Sequence, residues 1–301
     1  MTEKYQLKAN TIMELQTSID ISRKQLRIDH KDGIMLLGSC FADNIGGKLA
    51  EGHFECCINP FGTLYNPLSV AEALRQIMDR RTYSESDSEV FCNDGIWHSW
   101  MHHSRFSAGS AADLVGKVNA AISAAHESLS HCSLLVVTLG SAYVYRLRED
   151  GRVVANCHKM NEKNFDRSRI STDEIEEIWL PLLDDLHAVN PQLKVMLTVS
   201  PIRHKRDGLH ANQLSKATLL LAVDRLCERR KDMCLYFPAY EIMMDELRDY
   251  RFYADDMVHP SPLAVEYIWE RFSDAFFDKA TMEETAKWRK FEAAKRHRAI
   301  I

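Results

Sequence analysis

The chain has 301 residues, 46% hydrophobic and 27% charged, with a formal net charge of −5. That balance suits a globular protein with a sizeable core, and the acidic excess argues against nucleic acid as a partner. No apolar run reaches membrane-spanning length, and the first residues, Met1-Thr-Glu-Lys-Tyr-Gln-Leu-Lys8, lack the apolar stretch of a secretory signal, so no membrane partner is expected.

The first strong element is Gly33-Ile-Met-Leu-Leu-Gly-Ser-Cys-Phe-Ala-Asp43. Ile34 to Leu37 are apolar at every position, which predicts a short strand buried on both faces. Small residues follow at 38–40, and apolar side chains then recur at helical spacing, so the strand is expected to turn sharply into a helix. Such a turn lies at the carboxyl edge of a sheet, where open α/β folds bind ligands. The helix amino terminus adds free N–H groups and partial positive charge. Ser39 is thereby a candidate nucleophile with an oxyanion stabiliser at hand; the plain alternative is a helix N-cap, which serine fills well. Cys40 is the rival, since a thiol at a helix amino terminus can be reactive, and only one of the two side chains is expected to face a site.

A second strand over 54–58 leads into the turn-rich stretch Asn59-Pro-Phe-Gly-Thr-Leu-Tyr-Asn-Pro67, and a helix is expected over 69–81. Residues 82–109 are polar and aromatic, an excursion with short strands. A helix over 111–125 and a buried strand over 133–140 follow. Glu149-Asp-Gly151, between two β-rich runs, signals a hairpin. Ser171 or Thr172 can cap a helix over 173–189. Then come a strand at 193–199, a helix at 210–230, a strand at 233–237, and helices at 240–249 and 261–277. The last helix, 281–298, is basic over its final turns and is expected as a solvated face, with contact to an acidic surface as the alternative.

About five core strands alternating with helices predict a mostly parallel, doubly wound α/β sheet in three layers, plus an inserted hairpin. With no repeat or linker, one domain over 1–301 is expected, its core at 20–277 and its insertions at 82–109 and 143–170. The eight cysteines have irregular spacing and no Cys-x-x-Cys pair. They read as reduced, packed thiols of a cytoplasmic protein.

Near the end stands Tyr253-Ala-Asp-Asp-Met-Val-His-Pro-Ser-Pro262. Asp256 and His259 are three apart, so the carboxylate can reach Nδ1 of the imidazole and leave Nε2 to take a proton from a serine. A turn-capping Asp beside an exposed His is the alternative, and Asp255 competes with Asp256 on everything but spacing. This pairing favours Ser39 over Cys40, which is then expected to be a packed thiol.

Gly38-Ser-Cys-Phe-Ala42 is the namesake motif of the GSCFA family, which the chain resembles, a branch similar to the SGNH/GDSL hydrolases. The resemblance runs over about 20–277 and takes in Asn59-Pro-Phe-Gly62, Thr138-Leu-Gly-Ser141, Asn156-Cys-His-Lys159 and Ser200-Pro-Ile-Arg-His204 with Asp207-Gly208. It implies a flavodoxin-like α/β/α fold and ester hydrolysis or acyl transfer. The serine of the first block is matched by Ser39, and the late Asp-x-x-His block by Asp256 and His259. SGNH enzymes complete the oxyanion hole with a glycine N–H and an asparagine side chain. Gly62 matches that glycine, with the Thr63 N–H close by, but the asparagine position is Ala142 here. One such side-chain donor can be worth about 3 to 4 kcal/mol, so Ser141, Asn156 or Asn66 is expected to replace it.

Arg203 and His204 follow the fourth core strand and are expected to face the cleft, Arg203 to bind a substrate carboxylate or phosphate. An ion pair with Asp207 is the structural alternative for Arg203, and His158-Lys159 invites the same caution. Metal binding through His204, His210 and His259 has no support in their spacing. The expected function is a serine-dependent ester hydrolase or acyl-transfer enzyme with no cofactor. Its expected partner is a small polar or carbohydrate-linked ester, in keeping with polar loops carrying Asn66, His102, His103 and Arg203. A binding module that keeps the pocket without catalysis is the alternative, motivated by the missing asparagine.

Overall fold

The computed structural model describes residues 17–21 and 26–298, the last two without their side chains. Met1 to Lys8, read above for a leader, lie outside them. In chain order the elements are β1 (Gly33–Gly38), α1 (Cys40–Glu51), β2 (Glu55–Ile58), α2 (Pro67–Met78), β3 (Val90–Asn93), β4 (Ile96–Ser99) and α3 (Ala111–His131). There follow β5 (Leu134–Leu139), β6 (Tyr143–Leu147), β7 (Val153–Val154), β8 (Phe165–Arg169), α4 (Thr172–Val189) and β9 (Lys194–Val199). The chain continues with α5 (Gly208–Arg229), β10 (Cys234–Tyr236), a single turn α6 (Ala239–Glu241), α7 (Pro262–Phe276) and α8 (Lys279–Arg298).

The central sheet runs β10-β9-β5-β1-β2, with every pair parallel. The chain therefore starts in the middle, steps to one edge, and returns past β1 to build the other half, which is the flavodoxin-like order. The direction reverses between β1 and β5, whose registered ends are Gly38 and Thr138. Apolar residues at consecutive strand positions serve both faces, as a parallel sheet requires. Ile34 and Leu36 pack with Phe41, Ile45 and Leu49 of α1 and Phe272 of α7. Met35 and Leu37 pack in the opposite layer with residues of α2 to α5, Leu74, Ile122, Trp179 and Val223 among them. Each large side chain so buried contributes roughly 1.5 to 3 kcal/mol, so this double burial fixes the strands.

Three regions differ from expectation. The hairpin at β6–β7 gains a third strand, β8, on the other edge of β6. Its sequence, Phe-Asp-Arg-Ser-Arg, lacks the apolar alternation that would announce it. The segment expected as a helix over 240–249 is instead one α turn followed by a π-helical stretch, Ile242–Glu246. The basic terminal helix is also not a free solvated face, because it docks on α1. Trp288 stacks on His53 with ring centroids 4.0 Å apart, Arg289 reaches Glu266 at 2.9 Å, and Arg296 reaches Glu51 at 2.5 Å. The side chain of Arg298 lies outside the described residues. All eight cysteines are free. Among the described residues no helix is long and apolar enough to cross a membrane.

Candidate active site

The turn from β1 to α1 is built to bring two strands closer than a side chain permits. Gly38 has φ +133°, and a Cβ placed there would lie 2.1 Å from the Thr138 carbonyl oxygen. The turn is then braced by the Asn59–Gly62 loop. The Gly38 N–H donates to Asn59 Oδ1 at 2.9 Å, Asn59 Nδ2 donates to Asp43 Oδ1 at 2.8 Å, and the Leu64 N–H donates to the Gly38 carbonyl at 2.8 Å. Gly62 itself has φ +79°, with the His103 Cβ where its own would stand. Its N–H donates to the Asn59 carbonyl at 2.7 Å, so Gly62 is a bracing residue and not the oxyanion donor expected of it.

The two side chains of the turn are placed differently, Ser39 buried and Cys40 on the lining of a cleft. Ser39 is 1% exposed, its Oγ accepts the Phe41 N–H at 3.3 Å as the N-cap of α1, and its Cβ packs against Gly140. Cys40, the first residue of α1, lines a cleft of about 450 Å³ together with Tyr65, Ser141, Arg203, His204 and His259. The cleft sits over the carboxyl ends of β1, β5 and β9, which is where the winding direction changes. Burial and then the Asp43 carboxylate push the Cys40 thiol up from its ordinary pKa. The Cys40 N–H, the Lys216 ammonium and the Phe41 N–H act in the other direction and favour the thiolate. The resting thiol is therefore protonated and requires a base to react.

His259 stands in the same cleft, and the turn ahead of α7 holds it. Asp256 Oδ1 accepts the N–H groups of Val258 and His259, each at 3.0 Å, while Oδ2 lies 2.5 Å from His259 Nδ1. Those N–H groups, with the imidazole, hold the Asp256 carboxyl well below the usual carboxylate range. With the carboxylate ionised, Nδ1 carries the hydrogen in this bond and Nε2 is left as the acceptor. Asp255 forms no such bond with His259 among the described residues. The Arg203 N–H donates to the Val258 carbonyl at 3.0 Å, which ties the loop after β9 to the histidine turn.

The remaining candidates separate. Ser141 lines the cleft, and its Oγ accepts the Tyr143 N–H at 3.1 Å and pairs with Ser215 Oγ at 3.4 Å. Asn156 accepts the His158 N–H at 2.8 Å and does not line the cleft. Asn66 is buried as the N-cap of α2, bonded to Ser69 through both amide atoms at 2.9 Å. Both asparagines were expected as oxyanion or substrate groups, and local turn and cap bonds claim both instead. His204 lines the cleft with Nε2 3.2 Å from the Gly140 carbonyl, and burial pushes its pKa down to about 4. Arg203 also lines the cleft, but Asp207 is held by Arg167 rather than by Arg203. His158 is buried against the Ser99 carbonyl, His102 stacks on Phe61, and His103 caps a turn by accepting the Arg105 N–H. Among the described residues no three His, Cys, Asp or Glu side chains gather to hold a metal ion.

Two features went unread in the sequence. Tyr143, Tyr145 and Arg167 form one wall of the cleft, with the guanidinium 4.0 Å from the Tyr143 ring centroid. They belong to the β6–β8 sheet, whose third strand gives no apolar signal. The second is Lys216, fully buried on the inner face of α5. Its Nζ donates to the carbonyls of Gly140 at 2.8 Å and Ser200 at 2.7 Å, joining the loops after β5 and β9. A signal for it did exist: Lys216 falls on the same stripe as Leu219, Val223 and Leu226, where a polar residue is out of place.

Comparison with known proteins gives a family match and a structural likeness of low identity. Among solved structures, an acetyl xylan esterase from the rumen bacterium Butyrivibrio proteoclasticus is similar at 11% identity and a TM-score of 0.34, covering 86% of this chain. This chain spans 64% of that protein's length. No curated protein matches the chain. The family model of the GSCFA family matches residues 33–272, from the first residue of β1 into α7. That match takes in all five central strands, the bracing loop and the histidine turn, and the chain belongs to the GSCFA family.

Proposed function

We propose that the protein is an ester hydrolase or acyl-transfer enzyme, with Cys40 as nucleophile and His259, oriented by Asp256, as its base. The observation that carries this reading is the sharing of one cleft by the Cys40 thiol and the Asp256-bonded imidazole, while Ser39 is buried as a cap. His259 Nε2 takes the Cys40 proton as Sγ attacks the acyl carbonyl. The carbonyl π pair becomes an oxyanion at the amino terminus of α1, where the Cys40 N–H, the helix dipole and the Ser141 hydroxyl stabilise it. Collapse expels the alcohol, which takes the proton from the imidazolium and leaves a thioester on Cys40. Water or an acceptor nucleophile, deprotonated by His259, then attacks the thioester and restores the thiol. The tyrosine wall and the hydroxyl, imidazole and guanidinium side chains at the cleft favour a small polar or carbohydrate-linked ester. The volume of the cleft lies within the range of small-ligand sites.

The test is hydrolysis of p-nitrophenyl acetate and butyrate by wild type, Cys40→Ala and Ser39→Ala, with intact mass measured after acylation. Turnover and the acyl adduct are expected to vanish with Cys40→Ala. They are expected to persist with Ser39→Ala, which should lose about 1 kcal/mol of stability with its cap. Loss in Ser39→Ala alone, with that variant folded, would return the role to the serine. A binding module is the second reading, favoured by the protonated resting thiol and by the absence of a side-chain amide from the cleft among the described residues. Folded wild type with no turnover and no adduct would support it.

A further inference from the structure

Arg203 is a charge in the cleft that the proposed chemistry does not use. Its side chain is half-buried, the groups it bonds to are neutral, and the nearby charge that acts on it, Lys216, is a cation. Nε donates to Asn212 Oδ1 at 2.6 Å, Nη1 lies 3.9 Å from Met244 Sδ, and the Tyr253 hydroxyl stands beside it. Among the described residues no carboxylate pairs with it. The two other arginines of the cleft are both matched, Arg167 to Asp207 and Arg206 to Glu162. Asn212 is itself buried, with Nδ2 left without a partner, so its carboxamide is committed to orienting the guanidinium. The backbone of Arg203 is tied to the turn that carries His259, which holds the cation at the edge of the reacting centre.

A guanidinium removed from water without a counter-ion is unfavourable, and its planar fork suits bidentate contact with a carboxylate or phosphate. We propose that the substrate is an anionic ester, bearing a carboxylate or phosphate a few bonds from the scissile carbonyl, and that Arg203 binds this group. The inference rests on the ester reading above for the word substrate, but the anion site itself is independent of turnover. It also assigns Asn212 as the positioning residue that aims Arg203.

Two measurements keep the two readings apart. The first compares p-nitrophenyl butyrate with p-nitrophenyl hemisuccinate, which is close in length and differs by the terminal carboxylate. Wild type is expected to favour the hemisuccinate at least tenfold in kcat/KM. Arg203→Gln should erase that preference, chiefly through KM for the anionic ester. The second is thermal stabilisation of Cys40→Ala by succinate or inorganic phosphate against sodium chloride at matched ionic strength, with and without Arg203→Gln. A shift that needs Arg203 supports the anion site even if no ester is turned over, and the larger of the two shifts identifies carboxylate or phosphate. Asn212→Asp serves as a second variant, since it supplies the counter-ion internally and should abolish both effects with the guanidinium intact. Equal use of the two esters, together with stabilisation that is indifferent to Arg203, would overturn the proposal.

Discussion

Replacing Lys216 by methionine removes a buried cation while keeping most of its apolar stem. Burial is the main reason its pKa falls from 10.5 to about 7, with Arg203 adding like-charge repulsion. At about 1.4 kcal/mol per unit, that displacement corresponds to roughly 5 kcal/mol against the charged form in the folded state. The folded pKa is depressed, so the unfolded chain holds a proton that the folded chain has released between pH 7 and 10.5. Stability from this group is therefore present above that window and is lost as the pH falls towards 7. Urea unfolding of wild type and Lys216→Met at pH 6 and pH 9 measures it. The step to pH 9 spans about two pH units of the window, so the difference between the proteins should move by roughly 3 kcal/mol in favour of wild type. Taking the difference removes the thiols and tyrosines that also titrate there. A difference independent of pH would show that Lys216 keeps an ordinary proton affinity, and the argument from its burial would fail.

Two further outcomes follow from the histidine turn and the glycine turn. Asp256→Asn leaves the His259 ring in place but removes the carboxylate that fixes its Nδ1 hydrogen, so kcat on p-nitrophenyl acetate should fall by roughly a hundredfold or more in folded protein. An unchanged kcat and pH profile would exclude the dyad. Gly38→Ala puts a Cβ into the Thr138 carbonyl at a backbone angle that L residues rarely adopt, so destabilisation on the order of 4 kcal/mol or failure to fold is expected. A urea midpoint matching wild type would refute that account of the turn.

The sheet was legible because consecutive apolar residues at 34–37, 134–137 and 195–197 report burial on both faces directly. The histidine turn was legible because Asp256 and His259 are close in sequence as well as in space. Which of Ser39 and Cys40 lines the cleft was not. Adjacent residues at a helix start differ in direction by about 100° of helical rotation, and which one meets the cleft depends on how β1 enters α1. That Gly62 and Asn66 are held in local bonds was not legible for a related reason. Glycine and asparagine suit tight turns and caps as well as they suit oxyanion holes, and here the local bonds claim them first. Arg167 and its tyrosine wall depend on the pairing of β6 with β8 across an intervening strand and turn, for which no periodic signal exists in β8.

The central sheet also bears on how this chain can associate with itself. Its two edges are its shortest strands, four residues in β2 and three in β10, against six in each of β1, β5 and β9. An edge strand offers unpaired N–H and C=O groups as a template for another chain, and a short one offers too few to hold it. Growth of the central sheet across molecules is thus blunted at both ends.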